Sequence, residues 1–178
     1  GPDCLFVVNK SMNTVIENDY LVTPATSGIS TANANTDFNK MPTNIIEGWN
    51  FFRDVVFVPD AVQPDPEPDP EPDPEPVGET IFTDQLPQIL ADNGGGNGAR
   101  AELGILFSSK LCGTISQVRI YTSAQEDGVH NVRIWDYETD TLVAGPYEWD
   151  VVAGVEGWRT LNLPNSLSIE AHKKYDLS

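Results

Sequence analysis

The sequence has few basic residues, few cysteines and no long hydrophobic run. It contains 10 Lys and Arg against 27 Asp and Glu, which gives a formal net charge of −17. Such a charge repels phosphate, so the composition argues against a nucleic-acid partner. No apolar stretch approaches the roughly 18 residues of a membrane-spanning helix, so we expect no membrane span. No signal peptide is evident, and residue 1 is expected to be a mature end or an arbitrary cut in a longer chain.

The two cysteines, Cys4 and Cys112, leave two interpretations open. They are either two buried thiols or one disulfide between the two halves of the chain. A loop of that length would gain about 4–5 kcal/mol in the chain-entropy model. Many Asn, Thr and Gly residues, few Lys residues and a glycosylation sequon at Asn9 favour an extracellular location. In that setting we predict a Cys4–Cys112 disulfide and an N-glycosylation site at Asn9.

A proline-rich segment divides the chain at residues 64–76, where seven prolines alternate with six carboxylates. Proline has no N–H group to donate, so this segment can be neither a helix nor a central strand. Alternating proline favours an extended polyproline II rod at about 3.1 Å per residue, or about 40 Å in all. The predicted organisation is therefore a first part over 1–60, a linker over 61–78 and a main part over 79–178.

Short apolar runs separated by turn residues fill both sides of this rod. Turn signals recur about every 8–12 residues, a spacing typical of an all-β sandwich. Residues 25–44 predict a loop or short irregular strands, and 86–93 is a weak helix candidate. The predicted strands lie at residues 4–10, 18–24, 49–60, 103–109, 113–123, 130–138, 157–164 and 167–178, with two short runs within 139–152.

One strand-like run, WNFFRDVVFVPD at residues 49–60, is apolar on both faces in its middle. Such a strand is expected to be buried on both sides, either in the centre of a sheet or under a second layer. The first part of the chain should associate with the rest through this run. The predicted assembly residues are Trp49, Phe51, Phe52, Val55, Val56 and Phe57.

Nothing in the sequence predicts an enzyme. The histidines His130 and His172 have no second His or Cys at metal-ligand spacing, and a structural or surface role is expected for both. Four tryptophans could form a sugar-stacking platform, but core packing is the simpler role for such large rings. A few loop oxygens could hold calcium, although they lack the alternating acidic ladder of a dedicated calcium loop. These belong to Asp92, Asn93, Asn97 and Asp127. We therefore predict no catalytic residues, no metal site and no cofactor.

A series of short motifs in the main part carries a family resemblance. They are Glu102-Leu103-Gly104-Ile105-Leu106-Phe107, Gly113-Thr114-Ile115, Arg119-Ile120-Tyr121, Ile134-Trp135, Leu142, Gly157-Trp158 and Tyr175. In this order they resemble DUF4082, a domain-of-unknown-function family of extracellular, often repetitive, bacterial surface proteins. The resemblance covers residues 79–178. It implies a β-sandwich, with no established catalytic residues to carry over.

The end of such a domain is found in the first part of the chain. CLFVVNK, DYLVTP, a turn at Met41-Pro42-Thr43 and the segment 50–57 resemble the C-terminal part of the family, in that order. Residues 4–60 thus look like the last part of one domain, and residues 79–178 like the first part of the next. The resemblance implies a jelly-roll-like sandwich assembled from two split halves.

Each half alone would expose unpaired strand edges and apolar faces, which favours association. The halves could pair within one chain as a circular permutant, between chains by strand complementation, or as repeats of a longer covalent array. A stiff spacer raises the cost of folding back. We therefore expect an extracellular filament or surface fibre of identical subunits joined head to tail. The alternative is a self-contained, permuted module that binds glycans as an adhesin.

Overall fold

The computed structural model describes residues 6–32, 37–60, 78–92 and 101–178, and all regular structure within them is β-strand. No helix in these ranges is long and apolar enough to cross a membrane. The rod predicted at residues 64–76 lies outside them. The strands are β1 (Phe6–Val8), β2 (Ile16–Glu17), β3 (Leu21–Thr23), β4 (Gly28–Ala32), β5 (Asn44–Ile46), β6 (Arg53–Pro59), β7 (Ile89–Asp92), β8 (Ala101–Ser109), β9 (Gly113–Thr122), β10 (Gly128–Asp136), β11 (Thr141–Val151), β12 (Gly157–Ile169) and β13 (Lys174–Leu177).

Two antiparallel sheets enclose the main core, which confirms the predicted all-β sandwich. The larger sheet runs in the order β11-β10-β13-β8-β3-β2, and β4 with its partner β5 also joins β8. The smaller sheet has the order β12-β9-β6. Both sheets contribute apolar side chains to one cluster, among them Ile105, Phe107, Val132 and Ile134 from the larger sheet and Val55, Phe57, Ile115 and Val118 from the smaller.

A third sheet pairs β1 with β7, so the start of the chain meets the segment that follows the rod. Phe6 and Val8 from β1 form a second apolar cluster with Phe51 and Leu103. The first part of the chain therefore contributes to both clusters and is an integral part of the folded structure.

The alternating pattern of β9 agrees with its position between β6 and β12. Val118 and Ile120 are buried while Gln117 and Arg119 are only half-buried, as expected for a strand with one face on the core. The alternation slips near Gln117, where Val56 pairs with Gln117 but Phe57 pairs with Ile115. This register shift is a β-bulge, which keeps Ile115 and Val118 both facing the core.

Several of the predicted boundaries are wrong. The helix candidate at 86–93 contains β7 instead, because pairing with β1 outweighs a weak local preference. The two short runs predicted within 139–152 are one strand, β11, whose pairing with β10 absorbs the break at Gly145-Pro146 through register shifts. The predicted break between 157–164 and 167–178 also lies elsewhere, since β12 continues to Ile169.

Candidate functional site

The first part of the chain supplies an edge strand to both sheets of the sandwich. We call its described residues, 6–32 and 37–60, the docking segment, and residues 78–92 and 101–178 the main sandwich. β4 pairs with β8 over five residue pairs, from Gly28↔Ile105 to Ala32↔Ala101. β6 pairs with β9 over seven, from Arg53↔Ile120 to Pro59↔Gly113. Without the docking segment, β8 and β9 would each present an open row of backbone N–H and C=O groups.

The predicted assembly residues lie at the centre of this contact. Phe51, Phe52, Val55 and Phe57 are completely buried. Trp49 and Val56 are half-buried. β6 is the outer strand of its sheet by order, so the expectation of a central strand is wrong. On its free edge Phe57 exchanges two backbone hydrogen bonds with Glu79, and Ile81 and Phe82 pack into the same core cluster as Val55 and Phe57.

Phe52 begins this contact in a backbone conformation that a bulky residue rarely adopts, with φ of 52°. The side-chain oxygen of Asn50 accepts a hydrogen bond from the Phe52 N–H at 2.8 Å and helps to hold the turn. The Phe52 ring centroid lies 5.0 Å from that of Phe82, 6.3 Å from that of Trp158 and 6.5 Å from that of Tyr121. This aromatic cluster stabilises the strained backbone, because it is formed only when Phe52 points into the main sandwich.

Asp54 is the polar centre of the docking surface. Its side chain is completely buried, and its carboxylate accepts hydrogen bonds from the N–H groups of Val55 at 2.7 Å and Ile81 at 2.8 Å. It also pairs with the guanidinium of Arg119, whose carbon lies 4.6 Å from the ring centroid of Trp158. Burial raises the pKa of Asp54, and the Arg119 charge partly offsets this rise. One carboxylate thus joins β6, β9 and the residues that follow the rod.

A second polar contact ties the residues after the rod to β3. The carboxylate of Glu79 accepts hydrogen bonds from the N–H groups of Tyr20 at 2.8 Å and Leu21 at 3.3 Å. Asn18 donates from its side-chain amide to the carbonyls of Thr80 and Ile81, both at 2.8 Å. The roles of Asn18, Asp54 and Glu79 were not predicted from the sequence. A signal was present for Asp54, because a carboxylate in the middle of an apolar strand needs a buried partner.

The two ends of the rod region lie side by side. The Phe57 N–H donates to the Glu79 carbonyl at 2.8 Å, and the Glu79 N–H donates to the Phe57 carbonyl at 2.7 Å. Asp60 is held nearby, since its N–H donates to the carbonyl of Cys112 at 2.9 Å. Residues 61–77 therefore connect two backbone positions that are close neighbours in the fold.

The predicted modification sites receive no direct test. Cys112 is exposed and has no disulfide partner among the described residues, while Cys4 lies outside them. Asn9 is only 7% exposed, and its side-chain oxygen accepts a hydrogen bond from the Ser11 N–H at 2.9 Å. The disulfide and the glycosylation of Asn9 stay predictions.

The calcium and sugar-stacking candidates are also placed in part. Of the four calcium candidates only the Asp127 side chain is described, and it accepts a hydrogen bond from the Ala153 N–H at 3.0 Å. The described part of the chain contains no cluster of three His, Cys, Asp or Glu suited to a metal. Trp135 is buried, and the other three tryptophans are half-buried.

Comparison with known proteins identifies the main sandwich. A family model described as "Domain of unknown function (DUF4082)" matches residues 85–178, which is more than half of the chain. No curated protein and no solved structure shows a significant match. The protein therefore belongs to the DUF4082 family, through the strands that form the receiving surface for its docking segment.

Proposed function

We propose that the protein is a structural subunit of an extracellular filament or surface fibre. In this proposal the docking segment of one subunit completes the main sandwich of the next, and the repeated contact joins identical subunits head to tail. The geometry that supports it is the dual role of the docking segment, which closes an edge of both sheets at once. A segment that places Phe51, Phe52, Val55 and Phe57 in the core cannot be left in water without exposing a large apolar surface.

One observation carries the choice of a neighbouring subunit as partner. The contact between Phe57 and Glu79 brings the two ends of the rod region to hydrogen-bond distance. Seventeen residues, 61–77, connect these ends, and seven of the prolines in the chain alternate with acids there. In polyproline II form they would span about 50 Å. A fully extended rod would join a docking segment to a distant sandwich, whereas docking on its own sandwich requires the rod to bend back at a cost in free energy.

The charges on the rod add to this preference. Six carboxylates at every second position repel one another, and this repulsion favours the extended form over a hairpin. Docking on a neighbouring subunit makes the same hydrogen bonds and apolar contacts without bending the rod. The outcome is a heterologous contact that repeats without closing, as in other open assemblies.

The alternative function is a self-contained, permuted module that binds glycans as an adhesin. One observation favours self-containment: in the structure each strand of the docking segment pairs within its own chain. The two arrangements use identical contacts and differ only in which chain supplies the segment. The two arrangements therefore differ in oligomeric state, and the molecular mass of the particle in solution distinguishes them.

The test compares the chain with a variant in which residues 61–77 are replaced by a Gly/Ser linker of equal length. A flexible linker of seventeen residues has a root-mean-square span of about 20–25 Å and folds back readily. Light scattering after gel filtration should show multimers for the native chain and a shift to monomer for the variant, with equal thermal stability of the sandwich. A native chain that is monomeric at micromolar concentration, like the variant, would refute the fibre.

A further inference from the structure

A cavity of about 730 Å³ lies at the Arg53 end of β6, away from Pro59. β6 runs from Arg53, which lines the cavity, to Pro59, beside the rod region. The volume falls within the roughly 300–1,000 Å³ of typical small-molecule sites. The walls combine charged and apolar side chains, which include Arg53, Glu126, His130 and Arg133 beside Phe6 and Leu103.

The strongest indication of a ligand is the carboxylate of Glu126. This side chain lines the cavity and is only 3% exposed, and neither of its oxygens has a partner at normal hydrogen-bond geometry among the described residues. Burial raises the pKa of its carboxyl group, and the Arg53 charge and a Ser123 backbone N–H partly offset this rise. His130 approaches it, with Nε2 at 3.5 Å from Oε1. Burial and the Arg53 charge lower the pKa of His130 from 6.5 to about 4, so its imidazole is neutral near pH 7. A buried carboxylate whose two oxygens lack well-placed donors is costly unless a donor reaches it.

A second carboxylate on the same wall is also incompletely used. Glu102 is 5% exposed, and its Oε1 accepts from the Ser178 hydroxyl at 3.1 Å and lies 3.4 Å from an Arg133 nitrogen. Its Oε2 has no partner at normal hydrogen-bond geometry among the described residues, although the Trp135 side chain acts on this carboxylate as a nearby donor. The cavity wall thus carries the buried Glu126 carboxylate and a Glu102–Arg133 ion pair, and Arg53 lines the same cavity.

We propose that this cavity binds a neutral sugar unit. Adjacent hydroxyl groups of a sugar donate to carboxylates and accept from guanidinium groups at the same time. Its C–H face can pack on apolar side chains such as Phe6 and Leu103. A metal ion would be repelled by the two guanidinium groups, and an anion by the two carboxylates. A neutral polyol adds no net charge to these four groups and brings hydroxyl donors to the carboxylates.

The location of the cavity gives the site a place in the proposed assembly. Both attachment points of the rod lie at the Pro59 end of β6, while Arg53 marks the other end of this strand. If the fibre forms, each sandwich would present its cavity away from the rod. This display rests on the proposed function, whereas sugar binding by the cavity does not.

The experiment is saturation-transfer NMR on the full chain with D-glucose, D-galactose, D-mannose, L-rhamnose and N-acetyl-D-glucosamine, each at millimolar concentration. We expect transfer to at least one sugar, followed by titration to obtain its dissociation constant. Glu126→Gln replaces one of the two acceptor oxygens by an amide donor and should weaken binding at least about tenfold, equivalent to about 1.4 kcal/mol. The matched control Glu138→Gln makes the same change at an exposed position in the β10–β11 turn, at the far end of β10, and should leave binding unchanged.

A second variant keeps the result interpretable if Glu126→Gln disturbs folding. Gln125 is exposed and lines the cavity, so Gln125→Trp narrows the opening without removing a buried charge. It should abolish sugar binding while the thermal midpoint stays within a few degrees of the native value. Absence of transfer to every sugar, or transfer that is equal in the native chain and in Gln125→Trp, would overturn the proposal. Either result can be read whether the chain is a monomer or a multimer.

Discussion

Replacing Asp54 by alanine tests whether one buried carboxylate holds the docking segment in the sandwich. The Asp54 side chain is completely buried on β6 and contacts two other parts of the fold. It accepts from the Ile81 N–H after the rod, and it pairs with Arg119 on β9. Asp54→Ala leaves these donors without an acceptor, in a place that water does not reach.

The expected loss of stability comes from the donors that Asp54→Ala leaves unpaired in the folded protein. Arg119 keeps a side chain that is only 19% exposed and loses its partner charge. Removing one partner of a buried ion pair costs about 3–5 kcal/mol. The unpaired N–H groups of Val55 and Ile81 would each cost about 1–3 kcal/mol in isolation, but such losses are not additive in one network. We therefore expect Asp54→Ala to lower the free energy of unfolding by about 4 kcal/mol.

Urea unfolding followed by tryptophan fluorescence measures this loss, because Trp158 packs against the guanidinium of Arg119. Asp150→Ala, at an exposed position on β11, is the matched control and should stay within about 0.5 kcal/mol of the native protein. Arg119→Ala should cost less once Asp54 is already alanine. If Asp54→Ala and Asp150→Ala have equal effects, the carboxylate does not anchor the docking segment.

Three further predictions concern buried groups. Val55→Ala should lower the free energy of unfolding, measured by the same urea titration, by about 2–3 kcal/mol. The control Val143→Ala, on β11, should stay within about 0.5 kcal/mol of the native protein. Similar losses for the two variants would contradict the buried position of Val55. The pKa of His130 is about 4 in the folded state and 6.5 when unfolded, so the unfolded state binds more protons between these values. Acidification from about pH 7 to about pH 4 should then lower the free energy of unfolding of the native protein by up to about 3 kcal/mol more than that of the His130→Gln variant. Parallel curves of stability against pH for the two proteins would contradict the lowered pKa of His130. Burial and the Glu102 charge raise the pKa of Asp176, so its contribution to stability is present in acid and lost as pH rises. Asp176→Asn should therefore raise Tm, and the increase should be larger at pH 8 than at pH 5. An equal increase in Tm at both pH values would contradict the raised pKa of Asp176.

The burial of residues 49–58 could be predicted from the local sequence. A run such as WNFFRDVVFV has too many large apolar residues for a strand with one face in water, and Phe51, Phe52, Val55 and Phe57 are indeed completely buried. The slip in the alternation of β9 near Gln117 is likewise visible in the local sequence, and the structure places a bulge there. These features depend on period and hydrophobicity within a short window, so a single sequence is sufficient to predict them.

The polar contacts could not be predicted in the same way, because their partners are distant in sequence. Asp54 and Arg119 are 65 residues apart, and Asn18 and Ile81 are 63 apart. β7 formed where a weak helix was expected, since its pairing with β1 is also long-range. The cavity depends on several strands at once, so the buried Glu126 carboxylate in its wall has no signature in the local sequence.

The most direct test of the fibre is a disulfide across the two ends of the rod region. A side chain at Gly78 would meet Cγ1 of Val56, so Val56→Cys combined with Gly78→Cys places two thiols within reach of each other. Both native cysteines are replaced by serine in this variant. After oxidation, non-reducing electrophoresis should show a ladder of covalent multimers of the 19.5 kDa chain. A single oxidised band at the monomer mass would mean that each docking segment completes its own sandwich, and this would contradict head-to-tail assembly.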